Sequence, residues 1–160
     1  VTKLCGTAAR ISGVKCRPAV GAAMAPSAAA TLLAFFRDTK TAPSDYTKIF
    51  TGDLGFVGAN LLRELMERED IPLGDNYDDC GLLLFDREKQ QVEAGASGCG
   101  CSAAVACCHI LPRVASGEWE NVLLLSTGAL MSPLSIQQGE SIPGVAHLVY
   151  YSAKRGGIFG

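Results

Sequence analysis

A chain of 160 residues, 48% hydrophobic and 19% charged, carries enough apolar material for one domain around a single sizeable core. Its net charge of −2 and the lack of any basic run longer than two residues exclude nucleic-acid binding by counterion release and a polybasic membrane patch, and its apolar stretches are too short or too interrupted to cross a bilayer. Seven cysteines, an odd number without the spacing of a small secreted domain, fit a reducing compartment, while the opening at Val1 without a charged-then-apolar leader speaks against secretion and for a true start further upstream.

In chain order, residues 7–15 form a weak strand candidate, followed by a loop punctuated by Gly13, Pro18 and Gly21. Residues 24–37 are rich in alanine and leucine and predict a helix starting at Pro26 or Ser27, whose small alanines suit close packing on a sheet. A polar turn over 39–45, with Pro43 and Ser44 opening a short helical turn, leads to the β-branched and aromatic segment 46–51, a strand that ends on Gly52-Asp-Leu-Gly55. That ending places Asp53 at the carboxyl edge of a sheet, where ligands gather in open α/β sheets.

Over residues 57–69, Val57, Leu61, Leu62 and Leu65 recur at helical spacing with Arg63, Glu64, Glu67 and Arg68 on the other face, the pattern of an amphipathic surface helix. A loop over 71–79 carries Asp75, Asp78 and Asp79, which read as a solvated acidic set. It precedes an apolar buried strand over 80–86, then a turn and a second short strand over 88–94. A helix over 103–114, a central strand over 121–126 stopping at Thr127-Gly128, and a β-rich run over 141–151 complete the order β-α-β-α-β-β-α-β-β. This is the order of an α/β domain with a mixed sheet, either one domain or one half of a larger one.

The stretch Gly95-Ala-Ser-Gly-Cys-Gly-Cys-Ser-Ala104 combines glycines that let the backbone approach a bound group with the start of a helix, whose unpaired N–H groups favour an anion. Zinc on Cys99, Cys101, Cys107, Cys108 and His109 is opposed by spacing. On a helix Cys101 and Cys108 stand about 10 Å apart along the axis and Cys107 and Cys108 point about 100° apart, whereas zinc needs its sulfurs at about 2.3 Å. Cys107 and Cys108 are expected as small core residues.

A helix start lowers a thiol pKa and makes Cys99 and Cys101 candidate nucleophiles, but neither His109 nor His147 is placed beside them as a base, and both read as structural. The glycine order inverts the dinucleotide fingerprint, and no acidic residue follows at the expected distance. Two alternatives stay open on the residues alone. The turn is either structural or a site for a carboxylate, phosphate or thioester carbonyl, and Asp53 either caps its turn or contacts a ligand.

The blocks Ala22-Ala-Met-Ala-Pro26, Thr51-Gly-Asp-Leu54, Asp79-Cys-Gly-Leu82, Gly95 to Ala104, Thr127-Gly-Ala-Leu-Met-Ser-Pro133, Gln137-Gln138, Ile142-Pro143 and Ala146-His147 closely resemble, in order and across nearly the whole chain, the stage V sporulation protein AD family. The resemblance covers about the C-terminal half of that family. It implies an α/β, thiolase-like fold of two similar halves, of which residues 1–160 form the second, with a mixed, mostly parallel sheet flanked by helices. It also implies a part in taking dipicolinic acid (pyridine-2,6-dicarboxylic acid), alone or with calcium, into the forespore. The implied location is peripheral to the spore's inner membrane and the implied partners are membrane proteins of the same operon, with a homodimer as a further option. No nucleic acid and no cofactor is expected.

Thiolase-like enzymes such as ketoacyl synthase III carry a nucleophilic cysteine in the first half, and in the second a histidine in a His-Gln-Ala-Asn motif and an asparagine in a Gly-Asn-Thr-Ser turn. The stretches that look like these are Gly52-Asp-Leu-Gly55 and Gly98-Cys-Gly-Cys101, and neither holds the histidine or the asparagine. Claisen-type acyl transfer needs that pair to polarise a thioester carbonyl, so the resemblance implies binding without turnover. The implied ligand wall is Gly52, Asp53, Gly98, Cys99, Gly100, Cys101, Ser102, Thr127 and Gly128. A thiolase-type acyltransferase is the alternative. A third reading, a half-domain that only folds or assembles, predicts an exposed apolar patch around residues 22–30 or around Leu123.

Overall fold

Strand β2 (Lys48–Thr51) turns Ile49 to one face of a sheet and Phe50 to the other, and both are fully buried, which requires a layer of helix on each side. The computed structural model describes residues 2–12, 20–86, 88–90, 100–129, 138 and 142–154. Besides β2, the sheet contains β1 (Thr2–Ser12), β3 (Tyr77–Asp79), β4 (Asn121–Ala129) and β5 (Ile142–Ser152), in the order β1-β5-β4-β2-β3. The β4–β2 and β2–β3 pairs are parallel, and the β4–β5 and β5–β1 pairs antiparallel. Four strands therefore share one direction and β5 opposes them, giving a mixed, mostly parallel sheet in an α/β chain.

Helices α1 (Val20–Thr39) and α2 (Gly55–Arg68) cover one face, where Ile49, Leu123, Leu125, Leu148 and Tyr150 meet Leu32, Phe36, Leu62 and Met66. The other face packs Phe50, Val122 and Leu124 against Cys101, Val105, Ile110 and Val114. These last four lie on one winding run made of α4 (Cys101–Val105), a π-helical segment over Ala106–Ile110 and α5 (Leu111–Ala115). Pro112 lacks the N–H that would bond the carbonyl of Cys108, so the run cannot stay regular through this point. Between β3 and α4 lies the short α3 (Cys80–Leu84).

Several elements differ from the sequence expectation, each for a physical reason. Helix α1 begins at Val20 and contains Pro26 in its second turn. The early turn is held by packing, since a Cβ on Gly21 would overlap the carbonyl oxygen of Leu54 and one on Gly58 would stand 2.6 Å from the carbonyl oxygen of Gly21. The buried face of α2 is accordingly Gly55, Gly58, Ala59, Leu62 and Met66, and Val57 is 49% exposed. The end of the expected acidic loop is β3, and the expected strand over 80–86 is α3, started by the side chain of Asp79 accepting from the N–H of Gly81.

Strand β4 continues through Thr127 and Gly128, which pair with Ala146 and Val145. Cys107 and Cys108 are exposed rather than core residues, because the buried stripe of the 101–115 run passes through Cys101, Val105, Ala106, Ile110 and Val114. The alanine-rich face of α1 and Leu123 are covered, while Phe56, Val57, Leu83, Leu84 and Phe85 form the exposed large apolar positions near α2 and α3. Of the expected strand over 88–94, residues 91–94 lie outside the described residues, and 88–90 are turn and bend.

Candidate functional site

Parallel pairing brings the carboxyl ends of β2 and β3 together, with Thr51 opposite Asp79. Immediately beyond Thr51 come Gly52 and Asp53, as the sequence predicted for a strand-end carboxylate. Gly52 is buried, and a Cβ there would lie 3.0 Å from the amide nitrogen of Thr127 and 3.3 Å from Cβ of Ser102. The missing side chain lets β4 and the start of α4 close on the end of β2. Gly52, Asp53, Cys101, Ser102 and Thr127 therefore gather at one edge of the sheet.

Gly100 is exposed just before α4, and its carbonyl accepts the first helical bond from Ala104 at 2.9 Å. Gly128 lies one residue further along β4 with Val145 beside it. Gly98 and Cys99 lie outside the described residues.

The residue that organises this edge is Asp79, which the sequence reading placed in a solvated loop. It is 1% exposed. One carboxyl oxygen, Oδ2, accepts from the Thr51 hydroxyl at 2.6 Å and from the N–H of Leu54 at 2.8 Å, and Oδ1 accepts from the N–H of Gly55 at 3.0 Å and of Gly81 at 3.1 Å. A single carboxylate thus caps the starts of α2 and α3 and holds the end of β2. Gly55 has φ +62°, the left-handed region that favours glycine, which turns its N–H towards this carboxylate. The signal available in the sequence was an aspartate directly before a short apolar run, the position of a helix N-cap.

Asp53 stands next to this hub. A Cβ on Gly81 would overlap its Oδ1, so the carboxyl lies against the bare Cα of that glycine. Burial, and then the neighbouring charge of Asp79, push Asp53 up to about 6. No described residue donates a hydrogen bond to it, and the hydroxyl of Thr127 is buried without a partner among the described residues.

The thiols behave against the helix-start expectation. Burial, then Asp53 and Asp79, push Cys101 up to about 11; burial, then Asp79, Cys101 and Asp53, push Cys80 up still further. Burial, reinforced by the two nearby carboxylates, outweighs the lowering a helix start provides, so both thiols stay protonated at neutral pH. His109 stacks edge-on to Phe50 and Trp119 at centroid distances of 6.4 and 5.4 Å and takes a 2.9 Å contact from Arg113 on Nδ1. Burial, then the Arg113 charge, hold it below its ordinary value. His147 sits in β5 opposite Ser126 and Thr7.

An open cavity of about 660 Å³ lies at the other, amino-terminal edge of β2 and β3, lined among others by Pro43, Tyr46, Ile71, Pro72 and Asn76. Asn76 there already donates to the carbonyls of Pro43 and Tyr46, both at 2.9 Å. This edge holds none of the residues gathered around Asp53. No helix among the described residues is long and apolar enough to cross a membrane.

Residues 6–152 match the family described as Stage V sporulation protein AD (SpoVAD). A curated relative, the stage V sporulation protein AD of Bacillus subtilis (strain 168), is 43% identical over 137 residues, which are 86% of this chain and 40% of the relative. The matched part of the chain thus spans about two fifths of the length of that protein.

Proposed function

The chain belongs to the stage V sporulation protein AD family, and from its place in sporulation we propose that it binds dipicolinic acid, alone or with calcium, at the edge formed by Gly52, Asp53, Cys101, Ser102 and Thr127, and so supports uptake of that acid into the forespore. The observation that carries this reading is Asp53, a strand-end carboxyl without a hydrogen-bond donor among the described residues and pushed up to about 6. A carboxyl with that value stays protonated to a higher pH than an ordinary aspartate, and in that form it donates a hydrogen bond to an incoming carboxylate. The amides at the start of α4 and the Thr127 hydroxyl, which has no partner among the described residues, are the neutral donors this reading offers a second carboxylate.

Binding without turnover is supported by the thiols. Cys101, at the start of α4, is pushed up to about 11 by burial and then by Asp53 and Asp79, which opposes formation of a thiolate nucleophile. In this reading the chain acts beside the spore's inner membrane with membrane proteins of the same operon.

Calorimetric titration of dipicolinate, with and without calcium, into the wild-type chain and Asp53→Ala tests the proposal. Saturable binding that weakens at least about tenfold in the variant is expected for a lost charge-assisted hydrogen bond. Equal affinity in both proteins would remove Asp53 from the site, and no binding to either would remove the ligand.

A further inference from the structure

We infer that Asp79 is the positioning residue of this site: its buried carboxylate binds the chain on both sides of Asp53, and with Gly81 it fixes the direction in which the Asp53 carboxyl points. This rests on the reading of Asp53 as a ligand contact. The geometry is specific. Thr51 precedes the Gly52-Asp53 pair and Leu54 and Gly55 follow it, and all three donate to the two oxygens of Asp79. The turn that carries Asp53 is therefore closed around one acceptor, and the two residues inside it have no freedom to slide along the strand.

The fourth donor, the N–H of Gly81, brings the Cα of that glycine under Asp53 Oδ1, where any side chain would collide. The network extends outward through Thr51, whose hydroxyl also lies 2.9 Å from the Tyr77 hydroxyl. Tyr77 is itself buried and covered by the Arg63 guanidinium at 4.7 Å from its ring centre. Each donor removed from such a network leaves a buried acceptor unsatisfied, so the arrangement is held as a unit.

The titratable groups set against Asp53 are Asp79 from β3, Cys80 from α3 and Cys101 from α4. None of these is a cation. Asp79 therefore has two effects on its neighbour. It aims the carboxyl, and its charge favours the protonated form that receives a carboxylate ligand. A residue that served folding alone would change the stability of the chain and leave the titration of Asp53 in the folded state untouched.

The experiment is a carbon-detected nuclear magnetic resonance titration of the Asp53 carboxyl in the 160-residue wild-type chain, Asp79→Asn and Gly81→Ala, alongside dipicolinate binding. Asp79→Asn removes the charge and turns one acceptor into a donor facing donors. Gly81→Ala keeps the Asp79 charge and displaces the Asp53 carboxyl towards water. In both folded variants the Asp53 midpoint is expected to fall towards the ordinary aspartate value, with dipicolinate affinity reduced about tenfold or more.

An Asp53 midpoint unmoved in the folded variants would overturn the inference. Should Asp79→Asn not fold, Gly81→Ala decides it. An Asp53 midpoint near 4 in the wild-type chain would overturn it whatever the variants do. If the midpoint shifts as expected while wild type binds no dipicolinate, the ligand reading fails and the positioning role stands.

Discussion

Gly58 of α2 lies against Gly21 of α1 so closely that a Cβ on Gly58 would stand 2.6 Å from the Gly21 carbonyl oxygen and 3.0 Å from its Cα. The contact sets how near the two helices pass. It also sets where α2 begins, because Gly21 in turn lies against the carbonyl of Leu54 at the α2 N-cap. Gly58→Ala should therefore destabilise the chain by about 1–3 kcal/mol, the usual cost of overpacking against backbone that cannot yield. Urea unfolding followed by the fluorescence of Trp119 would show a lower midpoint at unchanged slope. A midpoint equal to wild type would mean that the helices separate freely.

The carboxyl of Asp53 makes stability depend on pH with a defined sign. Its folded value is raised from 3.8 to about 6, so between these values the native chain holds a proton that the unfolded chain releases. Stability is then lost as the pH rises from about 4 to about 6 and stays level above that, where Asp53 is charged in both states. Asp53→Asn lacks this loss. It should match wild type below about pH 4 and exceed it at pH 7 by about 1 kcal/mol, a figure reduced for the partial exposure of the group. Chemical denaturation at the two pH values checks it, and a variant less stable than wild type at pH 7 would contradict the account.

Thiol chemistry separates the cysteines by burial. Cys107 and Cys108 are exposed, while Cys80 and Cys101 are buried and held protonated beside Asp53 and Asp79. In the native chain an alkylating reagent at neutral pH should label Cys107 and Cys108 about tenfold or more faster than Cys80 and Cys101, a difference abolished in denaturant. Peptide mass spectrometry reads this directly. Rapid native labelling of Cys101 would reopen the acyltransferase reading.

His109 and Trp119 form a second pH reporter, on the opposite face of the sheet from α1 and α2. Burial, then the Arg113 charge, hold the imidazole below 6.5, and the indole ring lies 5.4 Å from it. Because the folded value is depressed, the stabilisation from a neutral His109 is present above 6.5 and is lost as the pH falls through the lower folded value. Trp119 emission should drop on the same descent, since a protonated imidazole quenches indole, and His109→Gln should abolish the step. A step centred above 6.5 would contradict the burial of this histidine.

The parts of the fold readable from the sequence are those where large apolar residues carry the period. β2, β4 and β5 lie where apolar, β-branched and aromatic runs predict strands, and the polar face of α2 is where Glu64, Glu67 and Arg68 placed it. Misreadings occur where small residues or a buried charge decide. Glycines, which carry no apolar signal, rotate the buried face of α2 away from Val57. In the 101–115 run Cys101 and Val105 are buried while Ala103, Ala104, Cys107 and Cys108 are exposed, and all are uncharged, so no periodicity marks the stripe.

The site shows the same division. Asp53 at a strand end was legible because glycines flank it. Asp79 was hidden because a buried carboxylate and a solvated one look alike until the donors around it are assembled by the β2–β3 pairing.

The most direct test of the account is where dipicolinate touches the chain. Amide chemical-shift mapping during titration is predicted to move Gly52, Asp53, Cys101, Ser102 and Thr127 together, with shifts that weaken as Asp53 ionises above about pH 6. Shifts confined to the cavity around Tyr46, Ile71 and Asn76 at the opposite edge of the sheet, or none at saturating ligand, would contradict it.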